Sequence, residues 1–497
     1  MTDPLPDAPA RLLGERIFSA TDQRWFGDLS LDVNPMHIDE IAARRLLSGR
    51  QVVHGIHTLI QAIDWWQAPV GHQGLAMTCT FDHPVSVGDV VQYCQTENGP
   101  NRSVIKATVD GLVCTEIGIT HDKAALGRAS NRAPPHGVEE SDGAESLRTL
   151  GGLRQPLDES AASWSGQHIL VPAQADGPAL ATRYPTAAQA LSPAAMASLA
   201  GLSYFVGMVC PGLHSVFSSL SFRLGQPAPA DGQLLLRVTR FDPRFKLFTV
   251  AFDGGLEGEL RAFLRPPPQA QPSAKTLKAH VRQGEFLGAR ALVIGGSRGL
   301  GELCAKLLAV GGAEVLISYA QGQADAQRVV DDIALADAGT CNALALDLLT
   351  QPFESLQVDV NSLSTVFYFA TPRIYNKRAG LFDAQTFENF CRFYLQRFHA
   401  LCLWLENRTV ERNVKVYLPS TVFITERPKG MTEYAMAKAA AEVLAADLNR
   451  QLRHVEVIFT RLPRLATDQT STIMGSDTGS NVDVLLPLLR QLNGADG

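Results

Sequence analysis

The sequence contains few cysteines, and they form no disulfide or metal-binding pattern. Eight cysteines are scattered over 497 residues without a Cys-x-x-Cys pair. Disulfide frameworks and zinc sites depend on regularly spaced cysteines, so neither is predicted here. We therefore expect no bound metal, and we expect most of the thiols to be buried as small apolar side chains.

Basic clusters and long apolar runs are missing as well. The formal net charge is −6, and no Lys/Arg-rich run or basic amphipathic helix offers a surface for nucleic acid or a membrane. No stretch approaches the roughly 18 apolar residues of a transmembrane helix, and residues 1–7 lack the basic and apolar regions of a secretory signal. The sequence predicts a cytoplasmic protein that acts on small molecules.

Two changes in composition divide the chain. Residues 126–164 are rich in Gly, Pro, Ser and acidic residues, and a proline-rich run leads into residues 267–285. Such segments are typical of linkers because they lack the apolar periodicity of packed elements. We therefore predict domains at residues 1–125, 165–266 and 286–497.

The first two domains share one order of elements. Each has an apolar, helix-like run, at 54–66 and 194–206, followed by several segments of alternating apolar and polar residues. One helix with several strands predicts an α+β fold in each domain, and we interpret the second as a distant copy of the first. The second copy offers only Pro211-Gly-Leu-His214, with no carboxylate near that histidine in sequence.

The first copy carries a charged motif, Asp32-Val-Asn-Pro-Met-His37. Alone, the motif could be no more than an Asx turn that begins a helix. Two later segments, Val52-Val-His-Gly55 and Phe81-Asp-His-Pro-Val-Ser-Val-Gly-Asp89, favour a catalytic role for Asp32 and His37. We expect His54 and His57 to be structural or to line the substrate site.

Together these segments resemble the MaoC-like, (R)-specific enoyl hydratases and dehydratases of the hotdog fold, over most of residues 15–120. The resemblance implies that Asp32 and His37 activate or receive one water, and that the backbone N–H of Gly55 holds a thioester oxygen. It also implies an acyl thioester substrate on coenzyme A or acyl carrier protein. In double-hotdog relatives a degenerate half helps to build the acyl tunnel, and we expect that role for residues 165–266.

The third domain begins with a glycine-rich turn between a strand and a helix. The strand Arg290-Ala-Leu-Val-Ile294 leads into Gly295-Gly-Ser-Arg-Gly-Leu-Gly301. Such a turn lets the backbone approach a pyrophosphate, which the helix N-terminus attracts. Strands and helices then alternate, which predicts a doubly wound parallel sheet.

This domain resembles the short-chain dehydrogenases/reductases, particularly the 3-oxoacyl reductases. Ser420 ends a predicted strand, and Tyr434 and Lys438 lie four residues apart on the next helix. We expect the Lys438 ammonium to lower the pKa of Tyr434, which would then give a proton to a carbonyl oxygen bonded also by Ser420.

The expected cofactor is NADPH. No acidic residue follows the second strand at 318–322, where NAD-preferring sites bind the ribose, and Arg298 could pair with a 2′-phosphate. The resemblance implies cofactor contacts from the following residues: Gly295, Ser297, Arg298, Gly299, Leu300, Gly301, Asp347, Leu348, Ala370, Tyr434, Lys438 and Pro463.

The reductase pattern is altered in two places. The usual Asn-Asn-Ala-Gly is replaced by Tyr368-Phe-Ala-Thr371, and the segment 393–398 lacks the expected asparagine. These changes put the proton relay behind Lys438 in doubt and predict altered substrate geometry or reduced activity.

The sequence as a whole predicts a multidomain enzyme, an α+β double hotdog followed by an α/β Rossmann-type domain. Ketoreduction makes the hydroxyl that dehydration removes, so we predict a bifunctional acyl-thioester enzyme that associates as a homo-oligomer through its reductase domain. Two alternatives stay open: a single-activity hydratase with a degenerate reductase, and a non-catalytic scaffold that docks carrier proteins.

Overall fold

The computed structural model describes most of the chain. The described residues are 10–46, 48–66, 75–99, 101–121, 147–173, 177–224, 232–374, 381–410, 413–468 and 480–494. They form two compact units, Met1–Pro267 and Pro268–Gly497.

Unit 1 is built on a single sheet of eleven described strands. The strands are β1 (Arg11–Ile17), β2 (Ala76–Phe81), β3 (Val90–Glu97), β4 (Arg102–Val109), β5 (Leu112–Thr120), β6 (Leu147–Thr149), β7 (His168–Pro172), β8 (Ser215–Leu224), β9 (Gln233–Asp242), β10 (Leu247–Asp253) and β11 (Leu256–Leu264).

Its helices lie between β1 and β2 and between β7 and β8. They are α1 (Ala20–Ser30), α2 (Pro35–Ile38), α3 (Glu40–Ala43), α4 (Gly55–Trp65), α5 (Gly177–Arg183), α6 (Pro185–Leu191) and α7 (Pro193–Tyr204), which continues as the π-helical turn Phe205–Val209. Both α4 and α7 are mostly buried, as expected of helices that are predominantly apolar, and Asp64 near the end of α4 is the single charged residue in the two.

The two halves of the sheet have the same order of strands when each is read from its outer edge, apart from the added β6. The full order runs β1-β3-β4-β5-β2-β8-β11-β10-β9-β7, with the short β6 added beyond β7. The halves meet where β2 pairs with β8 in antiparallel register, Ala76 opposite Arg223. One hydrophobic core includes residues of both halves, such as Ile60 and Leu199. The two predicted copies therefore form one continuous sheet over a shared core.

Part of the predicted linker at 126–164 is ordered. Strand β6 begins at Leu147, and Trp164 is buried in the core of unit 1. The Arg148 guanidinium lies over the Trp164 ring, 4.6 Å from its centroid. Residues 126–146 lie outside the described part. Within the predicted linker at 267–285, the helix α8 (Ala274–Leu277) packs into the core of unit 2.

Polar contacts also join the two halves of unit 1. The His57 Nε2 atom lies 2.6 Å from the Tyr184 hydroxyl. The Asp64 carboxylate accepts the backbone N–H groups of Thr186 and Ala187, at 2.9 and 3.2 Å, in the first turn of α6. Burial lowers the pKa of His57 to about 3, so this histidine is a neutral, structural residue, as one of our two expectations had it.

Unit 2 contains six strands and the following helices among its described residues. The strands are β12 (Arg290–Ile294), β13 (Glu314–Tyr319), β14 (Thr340–Ala345), β15 (Thr365–Tyr368), β16 (Val414–Thr421) and β17 (Val455–Leu462). After α8 the helices are α9 (Gly299–Val310), α10 (Gln323–Leu335), α11 (Ala384–Cys391), the π-helical turn Arg392–Arg397, α12 (Phe398–Glu406), α13 (Phe423–Glu426), α14 (Thr432–Gln451) and α15 (Asn481–Asn493).

All six strands are parallel, in the order β14-β13-β12-β15-β16-β17. The chain therefore crosses over between β12 and β15, and in such sheets ligands bind outside the carboxyl ends of the strands at that point. All four residues of β15 are buried, as expected for a strand covered on both faces. The predicted doubly wound parallel sheet is confirmed.

Among the described helices, none is by itself long and apolar enough to cross a membrane. The pair Pro185–Leu191 and Pro193–Val209 satisfies the criteria of length and composition only when taken together, and it is bent by 101°.

A cavity in the shared core should destabilise unit 1. Leu199 on α7 is fully buried, so Leu199→Ala is expected to lower the free energy of unfolding by about 2–5 kcal/mol. Urea unfolding followed by tryptophan fluorescence measures this, because four of the five tryptophans lie in unit 1. The control Leu12→Ala, at a side chain that is 55% exposed on β1, should change the stability by less than about 0.5 kcal/mol. Equal losses in the two variants would contradict the assigned core.

Candidate functional site

Asp32 is a buried carboxylate held by hydrogen bonds from both halves of unit 1. The chain leaves α1 through Leu31, whose left-handed φ of 64° turns it into the Asp32 segment. The Ser203 hydroxyl donates to Oδ2 of Asp32 at 2.7 Å, and the Asn34 backbone N–H donates to Oδ1 at 3.3 Å. Ser203 lies on α7, so the second half contributes directly to the site.

His37 lies beside this carboxylate, as the sequence predicted. Its Nδ1 is 2.7 Å from the Val52 carbonyl oxygen. We assign the proton to Nδ1 because the carbonyl can only accept, which leaves Nε2 as a free base. One possible ligand atom from each of Asp32, His37 and His54 lies within 4.8 Å of the others.

Burial controls the charges of this pair. It raises the pKa of Asp32, while the His37 charge and the hydrogen bonds from Ser203 and Asn34 act in the opposite direction. It also lowers the pKa of His37, against the attraction of Asp32. Both shifts favour uncharged groups, so the site is suited to passing a proton rather than to holding a stable ion pair.

His54 has a structural role at the centre of the site. Its ring stacks on His37 with centroids 3.9 Å apart. Its Nδ1 lies 2.9 Å from Oε1 of Gln23, and its Nε2 lies 3.0 Å from the Asp32 carbonyl oxygen. Burial lowers the pKa of His54 well below its usual range, so the ring stays neutral and fixes the positions of Asp32 and His37.

These contacts leave few atoms for a metal ion. Both ring nitrogens of His54 and Nδ1 of His37 already face protein oxygens. Only His37 Nε2 and the Asp32 carboxylate remain within the group, whereas zinc sites use three or four protein ligands. The donor set does not fit zinc.

Asn34 ties the motif to the second half. Its Oδ1 accepts the Met36 N–H and so caps α2, which matches the cap considered from the sequence. Its Nδ2 also donates to the carbonyl oxygens of Gly207 and Gly212, at 2.8 and 3.2 Å. The residue that spaces Asp32 from His37 is therefore also a contact between halves.

Gly207 leaves the space that Asp32 fills. It lies in the π-helical turn after α7, and a Cβ atom there would be 2.1 Å from Oδ1 of Asp32. The sequence analysis missed both Ser203 and Gly207. The only available signal was a small residue at two positions four apart in an otherwise apolar helix.

Gly55 is the first residue of α4. The backbone N–H groups of a first helical turn have no acceptor within the helix and attract negative charge. A Cβ atom at this position would be 2.9 Å from the Phe81 ring, so only glycine fits without a shift of that ring. The backbone N–H of Gly55 therefore lies in the first turn of α4, and its binding of a thioester oxygen stays a prediction.

In unit 2, the glycine-rich turn lies at the crossover of the sheet. Gly295 has a φ of 82°, and a Cβ atom on it would be 2.8 Å from the Ala370 nitrogen, which follows β15. A Cβ atom on Gly301 would be 2.2 Å from the Gly295 carbonyl oxygen. The Ser318 hydroxyl accepts the Gly295 N–H at 3.0 Å. The turn is therefore tight, and no side chain at Gly295 or Gly301 covers its backbone at the N-terminus of α9.

The other predicted cofactor residues lie near the same edge of the sheet. Ser297, Arg298, Gly299 and Leu300 belong to the glycine-rich turn, Asp347 and Leu348 follow β14, Ala370 follows β15, and Pro463 follows β17. Asp347 is exposed and its carboxylate accepts the Leu349 N–H at 2.9 Å, whereas the Leu348 side chain is buried in the core. The Arg298 guanidinium lies 3.9 Å from the Asp468 carboxylate.

The two hydroxyl residues at the end of β16, Ser420 and Thr421, have different partners. The Tyr434 phenol is hydrogen-bonded to the Thr421 side chain. The Ser420 hydroxyl instead donates to the Glu442 carboxylate at 2.5 Å, and Arg461 forms two hydrogen bonds to the same carboxylate. The structure thus puts Thr421, the neighbour of Ser420 at the end of β16, beside the tyrosine.

Lys438 does not lower the pKa of Tyr434 in this structure. Its ammonium donates to the Pro419 carbonyl oxygen at 2.7 Å and lies 3.7 Å from the centroid of the Tyr394 ring, against 5.9 Å for the Tyr434 ring. Burial raises the pKa of Tyr434 to about 12 and lowers that of Lys438 to about 7. Burial therefore outweighs the electrostatic effect that the sequence analysis predicted.

Tyr394 lies in the segment where relatives are expected to have an asparagine. It belongs to the π-helical turn Arg392–Arg397, and its hydroxyl is hydrogen-bonded to Thr371. Two of the altered sequence positions thus contact each other, behind Lys438.

Residues 5–116 match the family model for the MaoC like domain. The chain is similar to 3-hydroxybutyryl-CoA dehydratase of Methylorubrum extorquens, at 34% identity over 77 residues, 15% of this chain and 49% of that protein. It is also similar to L-rhamnose 1-dehydrogenase (NADP(+)) of Thermoplasma acidophilum, at 31% identity over 150 residues, 30% of this chain and 51% of that protein. The chain spans about half the length of these curated relatives.

Among solved structures, the chain is similar to a short chain dehydrogenase from Burkholderia cenocepacia in complex with NADP. The identity is 23% and the TM-score 0.34, with 43% of this chain and 94% of that chain covered. Both resemblances predicted from the sequence are thus found. The chain combines a segment, residues 5–116, that matches the MaoC like domain with a Rossmann-type parallel sheet in unit 2.

Proposed function

We propose that unit 1 catalyses the reversible addition of water to a 2-enoyl thioester, giving an (R)-3-hydroxyacyl thioester. The observation that carries this proposal is the buried pair of Asp32 and His37, whose carboxylate and imidazole atoms approach within 4.8 Å. The strand order that reads the same from both ends, with α4 and α7 in equivalent positions, supports a double hotdog in which the second half completes the site.

The chemistry follows from the bonds that each group already makes. Nε2 of His37 accepts a proton from water as the water oxygen bonds to C3 of the enoyl group. Asp32, whose raised pKa favours the protonated acid, supplies a proton to C2. The pair then exchanges protons with the next water. Dehydration follows the same steps in reverse.

Gly55 supplies the remaining stabilisation. Negative charge develops on the thioester oxygen as the C3–O bond forms, and the free N–H at the start of α4 donates to that oxygen. Phe81 packs directly against Gly55 and keeps this end of the helix dry.

Replacing the carboxylate should separate activity from stability. Asp32→Asn is expected to lower the rate of crotonyl-CoA hydration by roughly 10²–10⁴-fold, because the amide transfers no proton. Its melting temperature should equal or exceed that of the wild type at neutral pH, since an amide is cheaper to bury than a carboxylate.

The pH dependence gives a second measurement on the same variant. Burial raises the pKa of Asp32 in the folded state, so its contribution to stability is present in acid and lost as the pH rises through that pKa. Asp32→Asn should remove this loss, whereas Asp28→Asn, at an exposed position of α1, should leave both hydration and the pH profile unchanged. A large fall in stability of Asp32→Asn alone would count against the proposed role.

We propose further that unit 2 reduces a 3-oxoacyl thioester with NADPH. The tight glycine-rich turn at the sheet crossover fits a dinucleotide, since a side chain at Gly295 or Gly301 would fill the turn. Arg298 would meet a 2′-phosphate, for which Asp468 is the competing partner. When bound, the cofactor supplies the hydride.

The side chains of unit 2 supply the proton. The Tyr434 hydroxyl donates to the substrate carbonyl oxygen, which becomes the hydroxyl of the product, and Thr421 holds the same oxygen. Lys438, with a pKa of about 7, gains and loses a proton near neutral pH and so can restore the proton of Tyr434.

The two hydroxyls at the end of β16 should differ in their effect on reduction. Thr421→Val is expected to lower kcat for acetoacetyl-CoA reduction roughly 10²-fold, because it removes a donor to the reacting oxygen. Ser420→Ala should cost less than about tenfold, since that hydroxyl is bonded to Glu442. NADPH oxidation measures both, and the reverse order of effects would assign the role to Ser420 after all.

The product of reduction is the substrate of dehydration, so we propose that the two units act in sequence on one acyl group. The similarity to a dehydratase named for a coenzyme A thioester supports coenzyme A as the carrier. The exposed apolar side chains of Met436 and Val443 on α14 support association through the long helices of unit 2, which stays a prediction.

A hydratase with an inactive reductase unit is the second candidate. It is favoured by Tyr394, whose ring lies against the Lys438 ammonium where an asparagine is expected. If both units are active, Tyr434→Phe should abolish NADPH oxidation, keep NADPH binding and leave crotonyl-CoA hydration unchanged. Failure of the wild type to oxidise NADPH with any 3-oxoacyl thioester would leave the hydratase alone.

A further inference from the structure

The turn Gly212–His214 connects the catalytic motif to a second basic group. Asn34 donates to the Gly212 carbonyl oxygen at 3.2 Å, and Nη2 of Arg265 donates to the next carbonyl, that of Leu213, at 3.0 Å. The backbone N–H of Arg265 also donates to the His214 carbonyl oxygen at 2.8 Å. Gly212 and Leu213 are adjacent residues, with Cα atoms about 3.8 Å apart. Arg265 and Asn34 therefore donate to neighbouring carbonyl groups of one turn.

Two nitrogen atoms at this turn are buried without a partner. Nε of Arg265 and Nδ1 of His214 have no hydrogen-bond partner among the described residues. Other buried side-chain atoms of the described residues also lack a partner, but these two nitrogens share the turn that Asn34 contacts, so an anionic group at this turn would supply the acceptor that the Arg265 Nε–H lacks.

The charge at this turn is positive. No carboxylate of the described residues lies within 4 Å of the Arg265 guanidinium. Burial lowers the pKa of Arg265 to about 10, so the guanidinium stays cationic at neutral pH. Burial is the largest cause of the lowered pKa of His37, and the Arg265 charge acts in the same direction. The carboxylate at this turn is Asp158, 3.8 Å from Nε2 of His214 and itself 67% exposed.

We propose that Arg265 and His214 form a subsite for a carboxylate carried by the acyl group of the substrate. The inference rests on the proposed hydration at Asp32 and His37. A guanidinium with its Nε–H free presents the planar pair of donors that a carboxylate accepts. The preferred substrates would then be 2-enoyl thioesters of dicarboxylic acids.

Phosphate groups of a coenzyme A carrier are the alternative occupant, and distance argues against them. An extended pantetheine arm separates its phosphates from the thioester by on the order of 15 Å. Arg265 instead donates to the carbonyl next to the one that accepts from Asn34, and Asn34 belongs to the same motif as Asp32 and His37.

The test compares three thioesters in hydration assays on the full chain. Crotonyl N-acetylcysteamine carries neither anion, glutaconyl N-acetylcysteamine carries the acyl carboxylate alone, and crotonyl-CoA carries the phosphates alone. The variants are Arg265→Gln, Arg265→Lys and His214→Gln, with Arg261→Gln on the exposed face of β11 as the matched control.

Arg265→Gln is expected to raise KM for the glutaconyl thioester roughly ten- to hundredfold and to change KM for the two crotonyl thioesters less than about threefold. Arg265→Lys should restore part of the loss because it keeps the charge, and His214→Gln should show a smaller loss of the same selectivity. Arg261→Gln should match the wild type.

Three results would overturn the subsite: equal losses for all substrates, no loss for any, or a loss confined to crotonyl-CoA, which would assign Arg265 to the phosphates. If the wild type hydrates none of the thioesters, the proposed function fails by itself. The subsite is then tested by calorimetry with glutaryl N-acetylcysteamine. If the subsite is real, Arg265→Gln binds this thioester more weakly than the wild type does.

Discussion

A carboxylate buried without a cationic hydrogen-bond partner constrains unit 1 more than any other feature. Asp32 must lose its water to act on a substrate, and the protein compensates with the Ser203 hydroxyl, the Asn34 N–H and the gap left by Gly207. Two of these three come from the second half. The site therefore depends on the packing of the two halves against each other, because the second half supplies Ser203 and the space at Gly207.

Local spacing predicted the proximity of the candidate residues in the first half. Asp32, His37 and Gly55 follow from their positions around one turn and one helix start, and the structure brings the first two together. Ser203 could not be found in this way, because its partner lies 171 positions away and nothing in an apolar helix marks which serine faces a carboxylate. His54 was treated as secondary because its role depends on stacking and burial, which spacing does not reveal.

In unit 2 the sequence predicted the sheet and the Tyr434–Lys438 spacing, and it chose Ser420 as the hydroxyl that bonds the substrate oxygen, whereas the structure has the neighbouring Thr421 acting on the Tyr434 phenol. Successive side chains of a strand point to opposite faces, so an error of one residue selects the wrong face. The same limit applies to charge: proximity of Lys438 suggested a lowered pKa for Tyr434, while the depth of burial decides the opposite direction. Spacing along the chain fixes neighbours, and only the packed fold fixes orientation and solvation.

The strand order of unit 1 has a consequence for how this protein can vary. In a dimer of identical subunits every substitution occurs twice, so a change that improves one surface must be tolerated on its symmetric counterpart. A covalent tandem removes that constraint, because the position opposite each residue is encoded separately. Asymmetric features, such as Asp32 in the first half and Ser203 facing it from the second, then become accessible to single mutations.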